Sequence, residues 1–576
     1  MQTLIDFSDP GAGAGAAPLR CAFATPRQVL AAHSPAQVRP LLQAVQALAQ
    51  QGCWCVGYLR YEAASAFDPA LAVHRADGPL AWFGVHDAAQ AWPAPDESGT
   101  ALAQWRESLS RAAFDQVMTA IQHAIAHGEL YQLNYTAPLH GTLAGAPLDL
   151  FLALRRAQPG GYAAFIDTGD EQVLSVSPEL FFDWDGERIL ARPMKGTAPR
   201  GATPGADAAL AAQLRASAKE RAENVMIVDL IRNDLARVAR PFSVRVPHLF
   251  RLEALPSVWQ MTSDVEARTR PGTTLADVFA ALFPCGSVTG APKVRAMQMI
   301  KSLEPGPRGV YCGAVGVVRP GGAATFNVAI RTVTVQGGVA RCGIGSGITA
   351  DATAEGEWQE WRHKRAFLER ASQPFDLLET LALQDGVVRD APAHLARLAR
   401  AAAHFGYPWD AARVEASLRQ LTGTHRHGSW RVRLRLDVCG QVQAEVCVLE
   451  PVPTPLRLAL APTVFEAADS EFVRFKTTRR AHYEAFAPRG PGVFDTLLWN
   501  RHGELTECTR GNVAVQLDGR WVTPPLRCGL LDGVARARYV REGRLVEAVV
   551  RLEDLPRASG LAFVNSLRGW LDAELA

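Results

Sequence analysis

The chain has 576 residues, 48% hydrophobic and 20% charged, which describes a globular protein too long for one core. Its 60 basic and 58 acidic residues leave a net charge of +2, so no bulk field recruits nucleic acid or a membrane surface. Ten cysteines occur without a CxxC pair, the N-terminus carries Asp6 and Asp9 rather than basic residues, and no apolar run reaches the length of a membrane span. The expectation is a cytoplasmic protein with reduced, buried thiols.

Residues 1 to about 100 mix short apolar runs with Gly and Pro, and Cys53–Leu59 is the clearest strand. From Arg111 the apolar residues Phe114, Val117, Met118, Ile121, Ala124 and Ile125 recur at helical spacing, with Gly128 where a C-terminal glycine belongs. Leu130–Thr136 then alternates like a strand and puts Gln132 and Asn134 on one face. Val173, Leu174 and Val176 predict a buried strand before Ser177-Pro178-Glu179, and Phe181–Gly186 a second one ending in an Asp-Gly turn. In Arg192-Pro193-Met194-Lys195-Gly196-Thr197, proline and glycine hold a lysine on a stiff turn. On spacing alone, Glu179 and Lys195 fit either neighbouring strands facing one cavity or two ordinary surface positions.

A long helix is predicted over residues 216–239, with Glu220 and Glu223 three apart on one face. Pro284–Lys293 is not a GxxxxGK[ST] phosphate loop. With Pro292 at the first helical position, it predicts free N–H groups at Thr289, Gly290 and Ala291, suited to a carboxylate or a phosphate. Ala324–Val335 reads as one strand carrying Asn327 and Arg331. Gly343-Ile344-Gly345-Ser346-Gly347 lacks the GxGxxG spacing of a dinucleotide fingerprint. A last helix opens with Glu355, Glu357 and Glu360, carries Lys364 and runs to about Glu369. Two helices with paired carboxylates, an oxygen donor set with no His or Cys in it, suit a hard cation such as Mg²⁺. Arg331, Lys364 and the N–H loop would add a place for a small substrate with two carboxylates.

Six ordered motifs carry a resemblance over about residues 110–370: SVSPELF, RPMKGT, KERAENVMIVDLIRNDLARV, PCGSVTGAPKVRAM, FNVAIRT and GSGITADATAEGEWQEWRHK. They resemble the chorismate-utilising enzyme family, which implies an α/β sandwich with two antiparallel sheets inside helical layers. The resemblance makes Glu223 and Glu360 the main Mg²⁺ ligands, with Glu220 and Glu357 in support. It gives the ring carboxylate of chorismate to Mg²⁺, Thr289, Gly290, Ala291 and Lys364, and the enolpyruvyl carboxylate to Arg331 and Tyr311. Isochorismate and salicylate synthases have a lysine base where this chain has Gln132, so water has no activator at C2. Lys195, where anthranilate synthases usually carry alanine, resembles aminodeoxychorismate synthase component I. There the lysine, as a neutral amine, attacks C2, and the SPE glutamate, here Glu179, protonates the departing 4-hydroxyl. One departure stands out: many relatives have a histidine where Val258-Trp259-Gln260-Met261-Thr262-Ser263 places Gln260.

Past Ala371–Pro374 a new pattern begins. Phe375–Leu383 predicts a strand, Gln384-Asp385-Gly386 a turn, the stretch with His394, Arg397 and Phe405 a helix, and Trp430–Leu436 an amphipathic strand with solvated arginines. LLETLALQDG, HLARL, Phe475-Lys476-Thr477-Thr478, Glu507–Asn512, GLLDGVAR and FVNSLRG resemble the fold-type IV pyridoxal phosphate enzymes over residues 375–570. That implies a two-subdomain fold with Lys476 as the cofactor-linked lysine and catalytic base. Glu507 would sit at the pyridinium nitrogen, and Arg397, Gly533, Val534 and Ser566 at the phosphate. Ala535 stands where the family often has threonine. The resemblance leaves open a lyase or an aminotransferase.

The expectation is therefore α+β, with a chorismate-binding domain at 1–372 and a pyridoxal phosphate domain at 373–576. The first would aminate chorismate at C4, and the second would release pyruvate to give the folate precursor 4-aminobenzoate. The alternative is an anthranilate synthase component joined to an aminotransferase. With no glutaminase segment visible, ammonia would come from a separate glutamine amidotransferase subunit. A homodimer through the pyridoxal phosphate half is also compatible with the resemblance.

Overall fold

Sheets with two apolar faces need cover on both sides, and the first unit, Met1–Pro374, supplies it in four layers. In the computed structural model, which describes residues 1–11, 17–93, 101–201, 204–255 and 258–576, two sheets pack against each other. Ile5, Phe7, Tyr162, Ile166 and Val173 of one meet Val56, Tyr58, Trp82, Leu180, Val315 and Val317 of the other. Helices Pro35–Gln50, Ala218–Ala236 and Leu275–Leu282 cover the outer face of the second sheet. Helices Arg111–Ala126, Pro147–Ala157, Lys293–Leu303, Ala354–Lys364 and Ala366–Ser372 cover that of the first.

Among the described residues the first sheet has nine strands and the second ten, all paired antiparallel within their sheets. Gln132–Ala144 lies in the first sheet, between Gly290–Ala291 and Val339–Ile348. In the second, Arg188–Arg192 and Met194–Pro199 lie end to end along one edge of Val258–Arg268, while Arg245–Ala254 takes the other edge. Leu180 pairs with Arg192, so Glu179 and Lys195 meet where those two strands join.

Several local expectations change. Pro35–Gln50 is a helix, although the opening residues read only as short apolar runs. The helix predicted over 216–239 is Ala218–Ala236, capped by the Ser217 hydroxyl and preceded by a separate helix, Pro204–Ala216. Ala324–Val335 is two strands, Ala324–Val328 in the second sheet and Thr332–Gln336 in the first. The chain crosses between the sheets at Arg331, whose φ of 50° no strand accommodates. The last helix breaks at Arg365 into Ala354–Lys364 and Ala366–Ser372. Eight of the ten free cysteines are buried, but Cys447 is exposed and Cys439 half-buried.

The second unit, Phe375–Ala576, has two sheets of its own. Among the described residues one has four antiparallel strands, with Leu377–Gln384 and Ser429–Leu436 at its centre. It packs helices Ala391–Phe405 and Ala411–Thr424 around Leu381, Leu398, Ala402, Phe405, Val414 and Val432. The other has eight strands and is mixed, with Leu456–Leu460 parallel to both Val493–Trp499 and Gly569–Leu575. Its core is built on Leu458, Leu497, Val513, Val515 and Phe563. No helix among the described residues is long and apolar enough to cross a membrane.

Candidate active sites

Lys195 owes its position to a break in strand pairing. Met194 pairs with Thr262 and Thr197 with Gln260, so Lys195 and Gly196 together face the single residue Met261. Gly196 takes φ of 88°, and a Cβ there would meet Glu220 Oε2 at 3.0 Å, so the bulge calls for glycine. The Lys195 side chain leaves the ladder half-buried, with Nζ 3.9 Å from Glu223 Oε2. It also reaches the first sheet: a Cβ built on Gly347 would overlap Gln132 Nε2 and lie 2.8 Å from Lys195 Nζ.

Gln132 is fully buried and neither of its side-chain polar atoms has a hydrogen-bond partner. A buried primary amide left without a partner is poised for a polar ligand. The strand beside it, Val339–Ile348, carries three glycines on one face. Gly343 makes room for the Tyr311 ring, Gly345 for the Tyr135 carbonyl and Thr136, and Gly347 for Gln132 and Lys195.

Glu179 is buried, and its Oε1 has no partner. Burial pushes its carboxyl up to about 7, against the opposing pull of a hydrogen bond from Ser287 and the charges of Lys195 and Lys364. The carboxyl therefore keeps a proton near neutral pH and has a free oxygen to donate it from. The Ser287 contact gave no signal in the sequence, where that serine belonged only to a loop.

The four helix glutamates lie within electrostatic reach of one another. Burial raises Glu220, and the charges of Glu223 and Glu360 add to it. Burial and Glu360 likewise raise Glu357, which accepts a short hydrogen bond from Ser346. Glu360 goes the other way: against a desolvation penalty, Lys364 at 2.7 Å and Lys195 hold it below the usual range. Among the described residues no three acidic, His or Cys side chains are gathered as a metal centre, and lysines neutralise Glu223 and Glu360 as they stand. The donor set, all carboxylate oxygen, fits a hard divalent cation in chemistry.

The loop before Lys293 is built differently from the expectation. The Thr289 N–H bonds to the Gly286 carbonyl at 3.3 Å, and Gly290–Ala291 is a two-residue strand paired with Leu133 and Gln132. Pro292 is the N-cap of helix Lys293–Leu303 rather than its first residue. A buried ion pair ties this loop to the Gln132 strand. Arg308 holds Glu304 at 2.7 and 2.8 Å, the Val288 carbonyl at 2.7 Å and the Asn134 carbonyl at 2.7 Å. Only the i, i+4 spacing of Glu304 and Arg308 could have flagged that pair. Arg331 has no ion-pair partner among the described residues, and burial with nearby Arg370 lowers it to about 10. Tyr311 is buried against Gly343, and Lys364 donates to the Gly345 carbonyl at 3.0 Å.

In the second unit, Lys476 is half-buried just after the helical turn Glu471–Arg474. Desolvation lowers it to about 8, helped by the charges of Arg480 and Arg397 and opposed by Glu379 and Glu507. Glu507 is buried and pushed up to about 7 by that burial, although Tyr483 donates to it at 2.6 Å and the Leu531 N–H at 3.1 Å. Arg397 is gripped by Glu379 through two bonds of 2.8 and 2.6 Å, and His394 holds the same carboxylate at 2.6 Å. Tyr483 and Glu379 act behind the residues named by the sequence, and neither had a signal of its own. Gly533 caps helix Val534–Arg541 with no side-chain cap, and a Cβ on it would overlap Asn512 Oδ1. Ser566, buried, follows strand Gly560–Asn565. An uncapped helix start, an arginine and a lysine of lowered pKa fit the phosphate and aldehyde of pyridoxal phosphate.

Residues 14–370 match the chorismate binding enzyme family, and residues 376–574 match amino-transferase class IV. Aminodeoxychorismate synthase component 1 of Escherichia coli is 40% identical over 266 residues, 46% of this chain and 59% of that protein. Anthranilate synthase component 1 of Streptomyces coelicolor is 40% identical over 299 residues, 52% of this chain and 58% of that protein. The chain thus spans less than two thirds of either relative. The crystal structure of anthranilate synthase component I from Streptococcus pneumoniae superposes with a TM-score of 0.54 at 23% identity, covering 64% of this chain and 92% of that one, which establishes the fold. The chain belongs to the chorismate binding enzyme family and carries, after that domain, an amino-transferase class IV domain.

Proposed function

We propose that the chain makes 4-aminobenzoate from chorismate in two steps, amination at C4 and then release of pyruvate. The observation behind this reading is the pairing of Lys195 with Gln132 over Gly347, beside a Glu179 carboxyl that holds its proton to about pH 7. Lys195 Nζ bonds to C2 of the ring as the C4–O bond breaks, and Glu179 gives its proton to the departing hydroxyl, which leaves as water. Ammonia bonds to C4 and the lysine leaves C2. Gln132 has no basic atom, so nothing at its position activates water for hydrolysis. Arg331 and Tyr311 receive the enolpyruvyl carboxylate, and Lys364 with Thr289, Gly290 and Ala291 lines the ring end. Glu223 and Glu360, backed by Glu220 and Glu357, would hold Mg²⁺, which supplies positive charge for the ring carboxylate. A separate glutamine amidotransferase delivers the ammonia.

In the second unit, pyridoxal phosphate when bound supplies an electron sink. Arg397, Gly533, Val534 and Ser566 hold its phosphate, and Glu507 holds a proton on the ring-nitrogen side. Lys476, lowered to about 8, takes the proton from the amine-bearing ring carbon, the neighbouring ring carbon's bond to the enolpyruvyl oxygen breaks, and the departing enolpyruvate takes up a proton to become pyruvate.

The test is to give the purified chain chorismate, Mg²⁺, pyridoxal phosphate and ammonium, and to identify the product by mass. 4-Aminobenzoate is expected; anthranilate or isochorismate would overturn the assignment. A second reading, an anthranilate synthase component joined to an aminotransferase, draws on the 40% identity to the Streptomyces coelicolor protein. It requires amination at C2, for which Lys195 has no use.

A further inference from the structure

Lys195 does not hold its own place. Its bulge releases the Gly196 carbonyl from the strand ladder, and a carbonyl left so inside the protein needs another donor. Gln260 provides it, with Nε2 donating to the Gly196 oxygen at 2.9 Å. The other end of the same amide accepts from the Thr197 hydroxyl at 3.1 Å. One planar group thus grips the two residues that follow Lys195, from a buried position on the facing strand. An amide suits this because it presents a donor and an acceptor on one edge. On the proline side of the bulge, the Ser263 N–H donates to the Pro193 carbonyl at 3.2 Å. The lysine is pinned on both sides.

We infer that Gln260 is a positioning residue for the amination step: it fixes the Lys195–Gly196 bulge and so sets where Lys195 Nζ stands over Gly347. Gln260 touches no reacting atom in this account, and the inference rests on the reading of Lys195 as the nucleophile. A clamp of this kind matters more to the rate than to substrate affinity, because misplacing a reacting group by about 1 Å costs on the order of a hundredfold in rate.

The experiment compares Gln260→Met, Thr197→Val and Lys195→Ala with the wild-type chain in ammonium-dependent chorismate amination, with melting temperatures alongside. Gln260→Met keeps the volume and removes both bonds. It should lower kcat at least about tenfold while KM for chorismate stays within about threefold. Thr197→Val removes one bond and should lower kcat about two- to fivefold. Wild-type kcat in Gln260→Met, with Lys195→Ala inactive, sinks the positioning role and leaves the nucleophile reading intact. A parallel rise in KM with a fall in melting temperature also sinks it, since that is general loosening. Full amination by Lys195→Ala overturns the nucleophile reading itself. Should Gln260→Met fail to fold, Thr197→Val decides: unchanged kcat refutes the clamp.

Discussion

Adding one methyl group at Gly347 tests the site without removing any of its chemistry. In Gly347→Ala the new Cβ overlaps Gln132 Nε2 and comes to 2.8 Å from Lys195 Nζ. Restoring ordinary contact at roughly 3.5 Å pushes the amide back by about 1 Å and Lys195 Nζ by about 0.7 Å. Overpacking of this size costs about 1–3 kcal/mol, offset by about 0.5–1 kcal/mol from replacing glycine in a strand. The first unit should therefore lose at most about 2.5 kcal/mol. Amination should suffer far more, on the order of a hundredfold in kcat, because the nucleophile is what moves. Steady-state amination with ammonium and a calorimetric scan separate the two effects. A variant that aminates chorismate at the wild-type rate refutes the placement of Lys195 and Gln132 against this glycine.

Glu179 should impose a falling alkaline limb on amination centred near pH 7, and Glu179→Gln should abolish that limb with about 10²–10⁴-fold of the rate, read from a pH–rate profile. Because burial raises this group from 4.5 to about 7, its neutral form stabilises the fold fully below pH 4.5, and that contribution is lost as pH rises through 7. The wild type should lose up to about 3 kcal/mol across that window and Glu179→Gln none of it, as melting curves at pH 5 and pH 8 will show. Lys476→Ala should stop 4-aminobenzoate formation, let aminodeoxychorismate accumulate and abolish the visible absorbance gained on adding pyridoxal phosphate; unchanged 4-aminobenzoate output would remove the lyase role from this unit. Arg331→Leu should raise KM for chorismate about 10–100-fold with a smaller change in kcat, the worth of one charge-assisted pair with a carboxylate, and an unchanged KM would mean that Arg331 binds something else.

The layered architecture was legible because six motifs occurred in one order, and motif order carries a fold as periodicity cannot. Periodicity did find the helix at Arg111–Ala126, whose apolar stripe and Gly128 left little choice. It failed at Ala324–Val335, where an unbroken β-type run conceals a crossing between sheets, because a left-handed arginine leaves no trace in a hydrophobic pattern. It gave no sign at Thr289–Ala291 that Gly290–Ala291 pairs as a short strand with Leu133 and Gln132, since glycine and proline mark a turn without telling what its N–H groups meet. Lys195, Gln132 and Glu179 could be named from the sequence. Gln260 stood out in the sequence only as a departure from relatives, and its bond to the Gly196 carbonyl did not, for a hydrogen bond across 64 residues has no local signature. In the second unit Lys476 and Glu507 were likewise nameable, while Tyr483 and Glu379 emerged only from the packing.

The three glycines at 343, 345 and 347 make one face of strand Val339–Ile348 a wall with no side chains of its own along that stretch. That wall is bare main chain, and everything chemical reaches over it from elsewhere: Tyr311 at one end, Gln132 and Lys195 at the other. Reaction choice and scaffold are thereby uncoupled. On the proposed function, the side chains at 132 and 195 choose the reaction while the strand beneath them only makes room. On such a blank surface, function lives in the residues that lean across it rather than in the strand itself.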